Sequence, residues 1–396
     1  MQTIKILSKE FEPLGDTTDY VSMIFTKSWH GVGSFELVIH REANGADQIT
    51  KNCLVALAKN KVGIVKHREI QLDQNGKATE NWLFKGWALK GLAQQRLTVP
   101  PSTNAYDSKS GDAETVMKHF IDNHLVTPAN GNRAIPNLVI APNQNRGKAI
   151  SWQSRFKEVS DELTEISLAS GLGWDITLDT VNKQFVFDVH EGLDLSVNQN
   201  TNSPVYFSPE FGNVKTQSFA DSDLNMRNVG YVGGQGEGVE REVIVLGETT
   251  GYDRYESFID VRDIGVTSEL SERGQQKLDE MANELYFEAE IMSPVSKTTY
   301  KDEFETFVNP YQPVYERTKK IEMVGPFVYE RDYNLGDITT TMNRDWGFIV
   351  DRRITEITEI HEASGFKLEA VFGQNRPTLI SRLKNKFDEM EGLLKR

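Results

Sequence analysis

Apolar and polar positions divide the chain into three regimes. Over residues 1–100 the period is two. Residues 20–26 alternate loosely. After a turn at Trp29-His30-Gly31-Val32-Gly33, Phe35, Leu37 and Ile39 alternate with Glu36, Val38 and His40, as in a strand with one buried face. Residues 62–70 and 82–89 read as paired strands joined at Asn75-Gly76, a strong hairpin signal. Residues 49–58 fit either a strand or a short helix. Such a meander predicts a small barrel or sandwich.

Past Pro100-Pro101 the period changes to that of a helix. Val116, Met117, Phe120 and Ile121 face inward, with Asp112 as N-cap. Residues 127–147, rich in Asn, Pro and Gly, read as a loop. Phe156, Val159, Leu163 and Ile166 predict a second helix, with Gly171 just past its end. Strands at 173–178 and 184–189 complete an α+β unit, and residues 192–203 read as its exit.

From residue 205 the pattern returns to β. Residues 228–263 are its centre: a strand at 229–232, the glycines Gly233, Gly234, Gly236 and Gly238, a strand at 242–246, and a charged segment at 253–263. The G-x-G-x-G spacing and the following Val243, Ile244 and Val245 do not match the G-x-G-x-x-G turn that opens a helix on a dinucleotide. A hairpin is expected instead. In the charged segment Arg254, Glu256, Phe258, Asp260 and Arg262 alternate with Tyr255, Ser257, Ile259 and Val261, so each set shares a face. The first set is either a solvated strand face or a protomer contact whose register is fixed by complementary charge.

Residues 271–291 read as a helix with Leu278, Met281, Leu285 and Ala289 as its apolar stripe. Strands follow at 299–309, 320–324, 347–360 and 366–372. Ile354, Ile357 and Ile360 have helical spacing. β-Branched residues dominate there and a turn follows at Ser364-Gly365, so a strand is expected and a helix is the alternative. After Pro377, Ile380, Leu383, Phe387, Met390 and Leu394 form the apolar seam of two heptads. Two heptads are marginal alone. This helix either docks on its own domain or bundles with its copies, and Phe387 suits a bundle wider than a dimer.

Charge and chemistry narrow the function. The net charge of −14 disfavours a DNA grip, which needs Lys and Arg against phosphates. No apolar run approaches a membrane span, so no membrane anchor is expected. The single Cys53 permits no intrachain disulfide, as suits folding in a reducing cytoplasm. His361-Glu362 lacks the second histidine of a zinc protease. His119 and His124, five apart, do not share a face of an α-helix. No nucleophile elbow occurs, and Met226 and Val232 stand where a calcium loop starting at Asp221 needs Gly and Glu. No catalytic, cofactor-binding or metal-binding residue is expected. Trp29, Trp82, Trp87, Trp152, Trp174 and Trp346 are spread over several strands and read as core or interface anchors.

Several stretches, in order, resemble one family: KSWHGVGSFELVIH, FKGWALKGLAQQRL, the glycine run GQGEG with the charged segment after it, and LGDITTTMNRDWGFIVDRRITEITEIHEASGFKLEAVFG. They are similar to the tail-tip or baseplate hub proteins of siphophages, a family that includes the N-terminal hub region of tail-associated lysins and the Gp37-like siphovirus tail proteins. The resemblance implies an α+β, multi-domain fold. A first tube-like β-barrel takes residues 1–100, and residues 205–240 with 298–376 form a second. The inserted units are residues 101–204 and a smaller one at 241–297, and residues 377–396 form the C-terminal helix. It implies a structural homotrimer in the virion tail tip, assembled in the host cytoplasm. Its partners would be a distal tail protein, a tape-measure protein and a downstream spike, fibre or receptor-binding protein, with DNA passing through the lumen without specific binding. The alternatives are a cell-wall hydrolase and a carbohydrate-binding receptor module.

Overall fold

A computed structural model describes residues 2–70, 80–262, 267–292, 295–304, 315–324 and 327–373. The Asn75-Gly76 turn and the seam Ile380, Leu383, Phe387, Met390 and Leu394 lie outside the described residues.

The first hundred residues form β1 (Ile4–Leu7), β2 (Pro13–Thr17), β3 (Ser22–Ser28), β4 (Ser34–His40), β5 (Leu54–Ala58), β6 (Lys61–Glu69) and β7 (Asn81–Ala88). β4 alternates as its sequence does, with Phe35, Leu37 and Ile39 buried. β5 does not alternate, because both its faces are covered. Val55 and Leu57 enter one core with Met23, Phe25, Leu37 and Phe84; Leu54 and Ala56 enter another with the middle unit. A strand buried on both sides reads as a continuous apolar run, which is why strand and helix were hard to separate there.

The middle unit comprises β8 (Asp107–Asp112), α1 (Ala113–Ile121), β9 (Leu138–Ile140), β10 (Ala149–Ser154), α2 (Val159–Ser170), β11 (Gly173–Asp179) and β12 (Gln184–His190). Asp112 caps α1 by accepting from Thr115 N, and Val116, Met117, Phe120 and Ile121 are fully buried. Gly171 ends α2 at φ 78°. Two expectations fail. β9 interrupts the supposed loop by pairing parallel to β12. Phe156 is not in the helix: it precedes α2, at φ 52° and 56% exposed.

The remainder comprises β13 (Tyr206–Phe207), β14 (Val214–Ser222), β15 (Val229–Gly233), β16 (Val243–Leu246), β17 (Glu256–Asp260), α3 (Thr267–Glu280), β18 (Glu284–Ile291), β19 (Val295–Phe304), β20 (Tyr315–Val324), β21 (Ile338–Asn343), β22 (Phe348–Glu362) and β23 (Gly365–Gly373). The helix expected through residue 291 stops at Glu280. Residues 284–291 are a strand in which Phe287, Ala289 and Ile291 are buried in alternation. Leu285 and Ala289 are four apart, a spacing that fits a helix stripe and one face of a strand equally. β21 was not expected. Its Thr339, Thr340 and Thr341 are fully buried, and only their β-branching marks them as strand residues.

β22 is a strand, as read, and it joins the two β regions. Its first half pairs with β21 and its second half with β3, while β23 runs along its other edge. A bulge between Ile354 and Glu356 shifts the parity, so Ile354 and Ile357 are both buried although they are three apart. The resulting thirteen-stranded sheet runs β14-β18-β23-β22-β3-β4-β7-β6-β5-β1-β2, with β13 and β21 attached at β22. The fold is α+β as expected, and the two tube-like barrels that the resemblance implies are not seen as closed units among the described residues. Among the described residues the path is open, with no closed barrel, and both strand sets share one sheet. The fold is mostly β with three α-helices described.

The three parts meet at Trp29. Its backbone N–H donates to the bulged Thr355 (2.8 Å) and its indole to Gly171 O (3.1 Å). The ring lies against Gly173 and Gly336, where an added Cβ would stand 2.4 and 2.1 Å from ring atoms; Gly336 is also at φ +95°. The neighbouring His30 ring is half-buried against Ser167 at 2.7 Å. Burial, with Lys90 and Arg353 nearby, pushes its pKa down to about 3. Lys90 is itself buried over the Trp174 ring and donates to Ser28 O at 2.9 Å. Burial lowers its pKa to about 7, against the opposing pull of Asp175.

Candidate functional site

Of the residues singled out from the sequence, Arg254, Glu256, Asp260 and Arg262 come together at one small sheet, β16-β15-β17. β15 pairs antiparallel with β16 and parallel with β17, and the glycine run joins β15 to β16, as expected of a hairpin. One face is covered by α3. Val232, Ile259, Val261, Leu270 and Leu278 are buried there, with Ile244, Leu246 and Met281 beside them. Gly274 permits the close approach, since a Cβ at that position would lie 2.5 Å from Val232 Cγ2.

The other face is open. The register aligns Val245, Tyr231 and Phe258 in a row across three strands, with Val243 next to it. Val243, Val245 and Phe258 are 46, 52 and 42% exposed. Charged groups flank the row. Arg254 Nε donates to Glu256 Oε1 at 2.5 Å, and a second nitrogen lies 3.3 Å from the Tyr231 hydroxyl. The Glu256 hydrogen bond raises the Arg254 pKa. At the other end Asp260 takes Arg241 and Arg262, the latter at 3.2 Å, and the Arg241 guanidinium lies 5.3 Å from the Phe258 ring centre. An apolar centre with charged ends is the anatomy of a protein-binding face, in which Tyr and Arg often carry the energy. The alternation in residues 254–262 was readable. Arg241 was missed, because only the fold brings it to Asp260.

The ion clusters elsewhere tie separate elements together. His119 and His124 do share a partner, contrary to the spacing argument. α1 continues into a π-helical turn over residues 122–126, where five residues nearly complete a turn. His119 Nε2 lies 2.8 Å and His124 Nε2 2.9 Å from the two oxygens of Asp107. Burial pushes that carboxyl up, but the histidine contacts outweigh it and hold the pKa well below the usual carboxylate range. Lys61 bridges Glu330 and Glu359 between β6 and the second strand set. Among the described residues no group of three or more His, Cys, Asp or Glu side chains is arranged to hold a metal, and no helix is long and apolar enough to cross a membrane. A cleft of about 850 Å³ lies between the β8–β10 ribbon, the end of α2 and α3. It is lined by Ser108, Ser151, Gln153, Arg273, Gln276 and Glu280, among others.

A model of the Siphovirus ReqiPepy6 Gp37-like protein family matches residues 3–308 and 312–374. The chain belongs to this family. It is a siphovirus-type phage tail protein, which implies a place in the virion. No curated protein matches it in sequence. The fold of this Gp37-like protein is shared with solved tail proteins. The 43 kDa tail protein of prophage MuSo2 from Shewanella oneidensis is 11% identical, with TM-score 0.52 over 94% of this chain and 98% of that one. A tail protein of Neisseria meningitidis is 11% identical, with TM-score 0.53 over 95% and 97%. A prophage tail protein of Listeria monocytogenes is 10% identical, with TM-score 0.51 over 99% and 100%.

Proposed function

We propose that this tail protein is the structural hub of the tail tip and that its copies close into a threefold ring. The observation that carries the reading is the open face of β16-β15-β17, an apolar row ended by charges of both signs on a protein of a tail family. Arg254, Glu256, Asp260 and Arg262 lie on one side of the protomer contact. The C-terminal seam Ile380, Leu383, Phe387, Met390 and Leu394 bundles with its copies. The two strand sets, β1–β7 on one side and β14, β18 and β21–β23 on the other, serve as quasi-equivalent units of a pseudo-sixfold ring. The ring adapts a hexameric distal tail protein on one side to a trimeric spike, fibre or receptor-binding protein on the other. DNA and the tape-measure protein pass through its lumen, and an acidic chain releases DNA readily. The work is symmetry matching across a large interface, without bond chemistry.

Native mass spectrometry of the pure chain tests this, together with imaging of the assembled particle. The expected result is three copies on the tail axis. A copy number not divisible by three, or a position off the axis, overturns it. Release of peptidoglycan fragments by the pure protein would replace it with a hydrolase.

A further inference from the structure

The chain carries a net charge of −14, so a local group of arginines stands against its overall sign. Three gather at one place outside the small sheet. Residues 97–99 run beside residues 156–158, with Thr98 N donating to Lys157 O at 2.8 Å and Phe156 N to Thr98 O at 2.6 Å. This leaves Leu97, Val99 and Phe156 48, 39 and 56% exposed. Phe156 is held at φ 52°, a conformation rarely taken by a bulky residue. Arg96 donates to Arg133 O and Arg133 to Leu97 O, and the Arg155 guanidinium lies 5.2 Å from the Phe156 ring centre. Among the described residues none of these three arginines forms an ion pair.

The chain also carries the complement of this patch. In the loop joining β15 to β16, residues 235–240 are all exposed. Val239 stands fully exposed in the turn Gly238–Glu240, between Glu237 and Glu240.

We propose that the Val239 loop of one copy seats on the Leu97–Val99–Phe156 patch of the next. Glu237 and Glu240 then meet Arg96, Arg133 and Arg155. The two surfaces differ, so the contact is head-to-tail, and it closes a ring when the rotation per step divides a full turn. The inference rests on the ring reading and specifies how neighbours lock. A protein occupant is favoured over a nucleic acid. Of the three apolar side chains only Phe156 offers a ring for a base to stack on, Leu97 and Val99 offer none, and the acidic chain as a whole repels phosphate.

Cysteine pairing tests it directly, because Cys53 is the only cysteine in the sequence and is buried. Chains carrying Val239→Cys are mixed with chains carrying Phe156→Cys under mild oxidant. A disulfide between unlike chains is expected, with little between like chains. Charge reversal is the second arm. Arg96→Glu with Arg155→Glu, or Glu237→Arg with Glu240→Arg, should each weaken association at least tenfold by sedimentation, and combining both sets in one chain should restore it. If trimers persist unchanged in both reversals and no unlike-chain disulfide forms, this contact falls and the ring reading stands. If wild-type chains do not associate and the cysteine variants do not cross-link, the second copy is overturned as occupant, and copy number in the particle then decides the ring reading separately. Binding of duplex DNA that is lost with Arg96→Glu and Arg155→Glu would reassign the patch to phosphate and overturn the proposal.

Discussion

Trp29→Ala should remove the joint between the first strands, the middle unit and β22. The side chain is 6% exposed. A buried tryptophan removes about 200 Å² from water, and at about 25 cal/mol per Å² that is about 5 kcal/mol. Measured Trp→Ala costs in cores run about 3–5 kcal/mol. The upper part of that range is expected, because the ring is walled by the backbone at Gly173 and Gly336, which cannot swing in to fill the space. The lost indole hydrogen bond also leaves Gly171 O short of a partner. Trp29→Phe keeps most of the packing and loses that bond, so about 1–2 kcal/mol is expected. Equilibrium urea unfolding, followed by circular dichroism, measures both. A loss below about 1.5 kcal/mol for Trp29→Ala, or equal losses for the two variants, would refute the assignment of Trp29 as the joint.

Other substitutions probe separate parts. His30 has a folded pKa of about 3 against an ordinary 6.5, so the unfolded chain binds the extra proton between those values. Its contribution is intact above pH 6.5 and is lost as pH falls towards 3, at up to about 1.4 kcal/mol per unit. His30→Gln should flatten stability against pH between 4 and 6 relative to wild type; parallel curves would count against it. Asp107→Asn leaves His119 and His124 without their shared carboxylate and should cost about 1–3 kcal/mol in urea unfolding. Gly274→Val should push α3 off its sheet at about 1–3 kcal/mol, seen as faster amide exchange at β15 while β11 and β12 keep their protection.

Local rules carried much of this fold. Asp112 and Gly171 bounded their helices, and Phe35, Leu37 and Ile39 gave their strand a buried face. The charged alternation at residues 254–262 identified the face later found open. Legibility ended where the decisive partner was distant in sequence. Whether Leu285 and Ala289 belong to a helix or a strand is decided by β14 and β23 on either side. The meeting of His119 and His124 depends on a π-helical turn that no spacing rule anticipates. Arg96, Arg133 and Arg155 look unremarkable along the chain and form a patch only in three dimensions. The continuity of the two strand sets through β22 was invisible for the same reason.

That continuity sets a schedule for synthesis. The Thr26 and Thr358 hydroxyls meet at 3.0 Å although they are 332 residues apart in sequence. Ribosomes add about 5–20 residues per second, so β3 emerges roughly 20–60 seconds before its β22 neighbour exists. During that interval its unpaired edge is a template for any other nascent strand. Chaperone demand should therefore peak late in translation, and truncation before residue 348 should yield aggregates rather than a folded amino-terminal half.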